Sequence, residues 1–268
     1  MRSFEPSACE ESWKGLPLCR RYLFVHFGLV TAKPLRNESV GDVSVCWGLG
    51  TVAEGQHELL GAWRATAPNA PPWRETLEDL ADRGVEEIKF VTFCDRDIAE
   101  PDLCAAYPGA KVIRSIEQIV REIEARLSRR DREAALPWLK RLDAARNVGQ
   151  ARPALEGLAL SPIGSRHCIL REGCPVIGAQ LVPFYELAPR RRRLLRDAGA
   201  IATRIDRRLR KAAQTVGPAE QEAASAWLLS ETLLHAGREV DASTAGSRKR
   251  VLSSSGWITD RLENRDQL

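Results

Sequence analysis

The stretch that decides the fold is residues 43–122, VSVCWGLGTVAEGQHELLGAWRATAPNAPPWRETLEDLADRGVEEIKFVTFCDRDIAEPDLCAAYPGAKVIRSIEQIVRE. Residues 43–49 and 57–66 flank the turn sequence TVAEG, and together they predict a β-hairpin. Residues 87–93 form a short, nearly continuous apolar run, which is typical of a buried parallel strand. Because strands and helices alternate after the hairpin, the stretch predicts a mixed sheet covered by helices, an α/β fold.

Helix signals separate these strands. Residues 72–83 have a proline near the first turn and Gly84 just after the last, so they predict a helix. Ser115 is suited to cap the helix that follows a short predicted strand at residues 111–113. Upstream, the run YLFVHFGLVTA at residues 22–32 is rich in β-branched and aromatic residues, which predicts a further strand.

Downstream of Ser128 the strand signal fades. Residues 131–146 and 180–236 are mostly helical in pattern. Between them, SPIGSRHCILREGCPVIG (residues 161–178) predicts an irregular segment, since glycine and proline interrupt every period. After Gly237 the sequence is polar, Ser-rich and charged, which predicts a disordered tail.

The composition bounds the class of protein. Apolar residues make up 44% and charged residues 28% of the 268-residue chain, which is ordinary for a globular protein of one or two domains. The net charge of +4 does not indicate nucleic acid by itself. No apolar run approaches the ~20 residues of a membrane helix, so we expect no membrane association. The N-terminus has no apolar core of the kind that signal peptides carry.

The seven cysteines are odd in number and form no CxxC pair. This pattern disfavours both a structural zinc site and a secreted disulfide framework. It indicates reduced thiols in a cytosolic protein.

Three blocks of the chain resemble one family. These blocks are GLGTVAEGQHELLGAW (residues 48–63), GVEEIKFVTFCDRDIAEPDLCAAYPGAKV (84–112) and LVPFYELAPRRRRLLRDAGAIATRIDRRLRKAAQT (181–215). Their order and spacing resemble the Mutator-type family of bacterial insertion-sequence transposases. Each block alone is a weak signal, whereas three in sequence are fairly specific.

The resemblance implies an RNase H-like fold with a helical insertion before the last acidic helix. It implies DNA strand cleavage and transfer at the ends of an insertion element, with three carboxylates holding two Mg²⁺ ions. Two such metal ions stabilise the attacking and leaving oxygens of a phosphoryl displacement, and Mg²⁺ prefers oxygen ligands. On this basis we predict four regions. These are an RNase H-like core (1–127), a helical insertion (128–195), C-terminal helices completing the core (196–236) and the disordered tail (237–268).

The chain departs from the family at the positions that matter most for chemistry. The first acid of the family falls on His26 or Phe27, and the third falls on Ala202. The second falls on Asp95, or on Cys94 if the alignment has a one-residue gap. A Cys-x-x-His pair of many members appears here as Arg114 and Glu117. The N-terminal DNA-binding region that full-length members place before the first acid is also expected to be absent.

Asp95 is therefore the predicted catalytic residue and Mg²⁺ ligand, and its alternative role is to cap backbone at a strand end. His26 is either a substitute ligand or a buried, hydrogen-bonded histidine. Three further acids have two interpretations: an alternative acidic cluster, or solvated charges at helix starts, where the helix dipole favours them. These acids are Asp97, Glu100 and Glu117.

Two arginine-rich runs in the third block are the predicted DNA-binding residues, because cations that contact phosphates bind DNA irrespective of its sequence. The alternative is a solvated helix face. The predicted residues are Arg190, Arg191, Arg192, Arg193, Arg207, Arg208, Arg210 and Lys211.

The sequence thus predicts a transposase-family protein, catalytically impaired, whose ancestral reaction is metal-dependent DNA strand transfer. One alternative is a non-catalytic DNA-binding regulator of transposition, and another is the remnant of a decayed element. The expected partners are DNA at element ends and either further copies of the chain or an intact transposase in a mixed oligomer. The expected location is cytoplasmic, with the nucleoid.

Overall fold

The computed structural model describes residues 17–32, 43–64, 73–93 and 100–215, together with Gly237 and Val240. The chain divides into two compact units. We call residues 1–111 and 200–268 the sheet unit, and Val112–Gly199 the helical unit. The four regions expected from the sequence place their first boundary at residue 127, whereas the helical unit begins at Val112.

A five-stranded mixed sheet forms the centre of the sheet unit. The strands are β1 (Arg21–Ala32), β2 (Val43–Thr51), β3 (His57–Arg64), β4 (Glu87–Phe93) and β5 (Lys111–Val112). Their spatial order is β3-β2-β1-β4-β5, with β1 antiparallel to β2 and parallel to β4. The predicted mixed α/β architecture is confirmed, and β4 is an interior strand between β1 and β5.

Helix α9 (Pro189–Thr215) supplies part of the core of the sheet unit. From Ala200 onward this helix belongs to the sheet unit, where its buried side chains pack on β1, β2 and β3. The helical residues of this cluster are Ile201, Ala202, Ile205, Leu209 and Ala213. Gly28 allows Trp47 to lie close to β1, since a Cβ at Gly28 would approach the Trp47 indole to 2.3 Å.

Helix α1 (Trp73–Asp82) packs beside the hairpin. The indole Nε1 of Trp63 donates to Asp79 Oδ2 at 3.0 Å, and Arg83 donates to the carbonyl of Leu60 at 2.6 Å. Gly84 follows with a φ of 94°, a conformation that glycine adopts without strain and that ends the helix where the sequence predicted. Helix α2 (Glu100–Ala106) precedes β5.

The helical unit consists of short helices. They are α3 (Ile116–Arg126), α4 (Arg129–Ala144), α5 (Val148–Leu160), α6 (Pro162–Arg166), α7 (Cys168–Gln180) and α8 (Val182–Glu186), followed by the first part of α9. Polar side chains cap four of the starts. Ser115 accepts from Gln118 N–H while the Gln118 side chain accepts from Ser115 N–H, so the predicted cap is a complete capping box.

The expectation of an irregular segment at residues 161–178 is wrong. Most of these residues belong to α6 and α7. Pro162 occupies the first turn of α6, where its missing N–H costs nothing, and Ser161 caps that helix. Gly164 allows close packing instead of breaking the helix, since a Cβ there would come within 2.0 Å of the Ala159 carbonyl oxygen.

The predicted tail, residues 237–268, lies outside the described residues except for Gly237 and Val240. Val240 is helical and buried in the same cluster as α9. In the described part of the chain, no helix combines the length and apolar character needed to cross a membrane. The five described cysteines are all free thiols.

Candidate acidic site and nucleic-acid interface

His26 lies in the middle of β1 and is fully buried. It pairs with Leu49 on β2 and with Thr92 on β4. Neither ring nitrogen has a hydrogen-bond partner among the described residues. Burial, with a smaller contribution from the charge of His57, lowers the pKa of His26 to about 3. The imidazole is therefore neutral at physiological pH. His26 is buried, but it does not form the expected hydrogen bond with any described residue.

Phe27, the other residue on which the first acid could fall, faces the opposite side of the sheet. Its ring stacks on Phe93 at 6.1 Å between centroids and meets Trp73 of α1 edge-on at 5.6 Å. Alternate residues of a strand share a face, so His26 points to the same side as Val30. Val30 and Leu49 both pack in the cluster that contains Ala202.

His26 and Ala202 thus face the same layer, between the sheet and α9. Ala202 has no exposed surface. The first and third acids of the family are expected to fall on His26 and Ala202. His26 has an imidazole without hydrogen bonds to described residues, Ala202 has only a methyl group, and both are fully buried. Neither supplies an oxygen ligand.

The second acidic position cannot be placed in the same way, because residues 94–99, with Asp95, Cys94 and Asp97, lie outside the described residues. Phe93, at the end of β4, is two residues before Asp95 and pairs with Phe27. Among the residues that the structure does describe, no three His, Cys, Asp or Glu side chains come together as a metal site.

Glu117 is engaged elsewhere. Its carboxylate forms a salt bridge with Arg196 Nε at 2.5 Å, and it sits in the first turn of α3, where the helix dipole favours an acid. Arg114 forms a salt bridge with Glu122 at 2.7 Å. Both residues that fall on the Cys-x-x-His positions of the family therefore take part in ion pairs of the helical unit. The Arg196 partner gave no signal in the sequence.

The eight predicted DNA-binding residues all lie on α9, but their environments differ. Arg192 donates to the carbonyl of Arg146 at 3.1 Å and lies over the Tyr185 ring, at 5.8 Å from its centroid. Arg210 forms a salt bridge with Asp206 at 2.6 Å and donates to the Leu29 carbonyl at 3.3 Å. These two arginines stabilise the fold. The other six are exposed: Arg190, Arg191, Arg193, Arg207, Arg208 and Lys211.

Charge is distributed unevenly between the units. Residues 112–199 contain 17 Lys and Arg against 10 Asp and Glu, a net charge of +7. Because the whole chain has a net charge of +4, the sheet unit has −3. The excess of positive charge is therefore a property of the helical unit, and only knowledge of the unit boundaries makes it visible.

The family assignment rests on sequence comparison over most of the chain. The model of the Mutator family of transposases matches residues 8–239. The chain belongs to this family of insertion-sequence transposases.

Individual relatives agree with this assignment. A probable transposase for an insertion sequence element of Corynebacterium diphtheriae is 25% identical over 247 residues, which cover 92% of this chain and 71% of that protein. The transposase for insertion sequence element ISRM3 of Rhizobium meliloti is 26% identical over 207 residues, 76% of this chain and 51% of that one. The transposase for insertion sequence element IS905 of Lactococcus lactis is 31% identical over 126 residues, 47% of this chain and 32% of that protein. The chain thus spans about half the length of the ISRM3 transposase and less of the IS905 one.

Proposed function

We propose that this chain binds DNA as a transposase-family scaffold and does not itself cleave DNA strands through metal ions. The observation that carries this proposal is that His26 and Ala202 are both neutral and fully buried in the same layer of the sheet unit. The mixed five-stranded sheet with α9 packed against it supports an RNase H-like assignment.

The described residues do not fit the two Mg²⁺ ions that the family implies. Mg²⁺ requires near-octahedral coordination by hard oxygen ligands, usually carboxylates and water. An imidazole with a pKa near 3 in a water-excluding core and a methyl group provide none. Asp95 alone would add one carboxylate, which leaves the two-ion site incomplete.

DNA binding needs no metal. Exposed arginines and lysines neutralise phosphates and release counterions, so binding weakens steeply with salt. Six such residues lie on α9, and the helical unit without Arg190–Arg193 still has 13 Lys and Arg against 10 Asp and Glu. A protein of this kind, located with the nucleoid, would compete for or share element ends with an intact transposase, or join it in mixed oligomers.

The test is a pair of assays on the purified full chain. We expect salt-sensitive binding to duplex DNA in fluorescence anisotropy, with no change between Mg²⁺ and EDTA. On supercoiled plasmid with Mg²⁺ or Mn²⁺, we expect no nicked product above a buffer control. Nicking that requires the ion and disappears in Asp95→Ala would contradict the proposal.

A further inference from the structure

The helical unit contains a groove between α4 and α5 that none of the predicted DNA-binding residues touches. It has a volume of about 410 Å³ and is lined by Arg141, Ala144, Ala145, Gln150, Pro153 and Ala154. Four of these six side chains are small and apolar, so a bound chain could approach the helix backbones closely. The two polar side chains can both donate hydrogen bonds.

Arg141 is held in place at this groove by an aromatic neighbour. Its guanidinium lies 4.9 Å from the ring centroid of Trp138, one turn earlier on α4. Trp138 itself rests against α5, since a Cβ at Gly157 would come within 2.2 Å of the indole ring. A cation–π contact to a fixed ring orients the guanidinium, and an oriented cation loses less entropy on binding a phosphate.

Gln150 is oriented as well. Its side-chain oxygen accepts the backbone N–H of Arg146 at 2.9 Å, while its own backbone N–H donates to Asn147 Oδ1 at 3.0 Å. With the amide oxygen engaged in this way, the NH₂ group remains to donate to an acceptor in the groove. Phosphate oxygens are acceptors of this kind.

Arg130 extends this surface along α4. Residues eleven apart on an α-helix differ by only about 20° around the axis and lie roughly 16 Å apart along it, so Arg130 and Arg141 share a face. Arg130 is exposed and makes no ion pair or hydrogen bond within the described part of the chain. A separation of roughly 16 Å lets the two guanidinium groups contact different phosphates of one duplex.

We infer that the α4–α5 face of the helical unit is a duplex-DNA-binding surface, with Arg130 and Arg141 contacting phosphates and Gln150 donating to the backbone between them. This inference rests on the proposed function and adds contacts that lie outside the arginine runs of α9. Residues 128–160, which contain α4 and α5, have seven Lys and Arg against four Asp and Glu, a net charge of +3 that favours a polyanion as the occupant.

The experiment measures the affinity of the full chain for a short duplex at a series of salt concentrations. Each phosphate contact contributes about 0.9 to the slope of log K against log salt, so Arg130→Gln with Arg141→Gln should lower the slope by roughly 2. Arg130→Gln alone, which leaves the contact with Trp138 intact, should lower it by roughly 1.

The matched control removes two charges from the sheet unit. Lys89→Gln with Lys111→Gln changes two exposed lysines that make no ion pair or hydrogen bond with a described residue, and it should leave the slope unchanged. Circular dichroism and thermal unfolding check that all variants remain folded.

The outcomes separate this inference from the proposed function. If the wild-type chain does not bind duplex DNA even at low salt, the proposed function fails. If it binds but both arginine variants keep the wild-type slope, or the control loses as much, only the α4–α5 surface is refuted. Displacement of DNA by polyglutamate at equal charge concentration, together with tighter binding of polyglutamate to wild type than to the variants, would assign the surface to an acidic protein and overturn the inference.

Discussion

The sheet unit and the helical unit differ in net charge, which is −3 in the sheet unit and +7 in the helical unit. In the sheet unit, the two positions on which the first and third acids of the family are expected to fall, His26 and Ala202, carry neutral, fully buried side chains. In the helical unit, positive charge is in excess and several arginines are exposed. A buried carboxylate without a metal or partner costs several kcal/mol, so neutral residues remove that cost, whereas an exposed arginine affects stability little. Neutral side chains in the core and exposed positive charge on the surface are therefore present in one chain, and the proposed function depends on both.

The largest expected effect comes from restoring an acid in the core. His26→Asp should lower the free energy of unfolding by about 3–5 kcal/mol, because it places an ionisable group in a fully buried position without a compensating charge. Chemical denaturation in EDTA measures this loss.

A neutral control and a metal titration sharpen this test. His26→Asn keeps a polar side chain of similar size without the charge, so it should cost clearly less. Adding millimolar Mg²⁺ should leave the midpoint of His26→Asp unchanged. A Mg²⁺-dependent rise in the denaturation midpoint would mean that the layer between the sheet and α9 still accommodates a hydrated cation, and the contrast between the units would then be lost.

A second prediction concerns packing in the helical unit. Gly157→Ala should destabilise the chain by about 2 kcal/mol, since its Cβ would collide with the Trp138 indole and force the ring away from α5. Gly173→Ala in α7 is the matched control, with no atom within 4 Å of the added Cβ. It should stabilise the chain by about 0.5–1 kcal/mol through helix propensity. Equal effects at both positions would show that the fit of Trp138 against α5 contributes nothing.

The same glycines show what the sequence could and could not predict. The hairpin, β4 and the α1 stop at Gly84 were predictable, because their signals are local: turn residues, an apolar run and a glycine after a helical period. The helices at residues 162–180 were not. Their glycines and prolines have the local character of helix breakers, and tertiary packing overrides that propensity: Gly178 of α7, for example, is buried, and a Cβ added there would lie 3.8 Å from Leu155 of α5.

Part of the candidate site could also be predicted from the sequence. The resemblance left His26 and Phe27 as alternatives for the first acidic position, because a one-residue shift along a strand changes the face of the sheet. Strand register and the packing of α9 decide which of them faces Ala202. The sequence likewise could not distinguish Arg210, which binds Asp206 and the Leu29 carbonyl, from exposed neighbours such as Arg207.

The smallest effect expected at neutral pH comes from removing the buried imidazole. His26→Leu should raise the free energy of unfolding by about 1 kcal/mol at pH 7.5, because two buried nitrogens without described partners are replaced by apolar atoms.

The pH dependence gives a sharper readout. The folded-state pKa of about 3 lies below the unfolded value of about 6.5, so the unfolded chain binds the proton between these values. Stability is therefore full above pH 6.5 and falls by about 1.4 kcal/mol per pH unit as the pH drops towards 3. His26→Leu should lack this pH-dependent loss of stability, so the difference in the free energy of unfolding between His26→Leu and the wild type should widen from pH 7 to pH 5. Subtracting the two curves cancels the contribution of His57 and other groups common to both. A difference that stays constant over this range would mean that His26 is hydrated or hydrogen-bonded in the native state, which would contradict a dry core in the sheet unit.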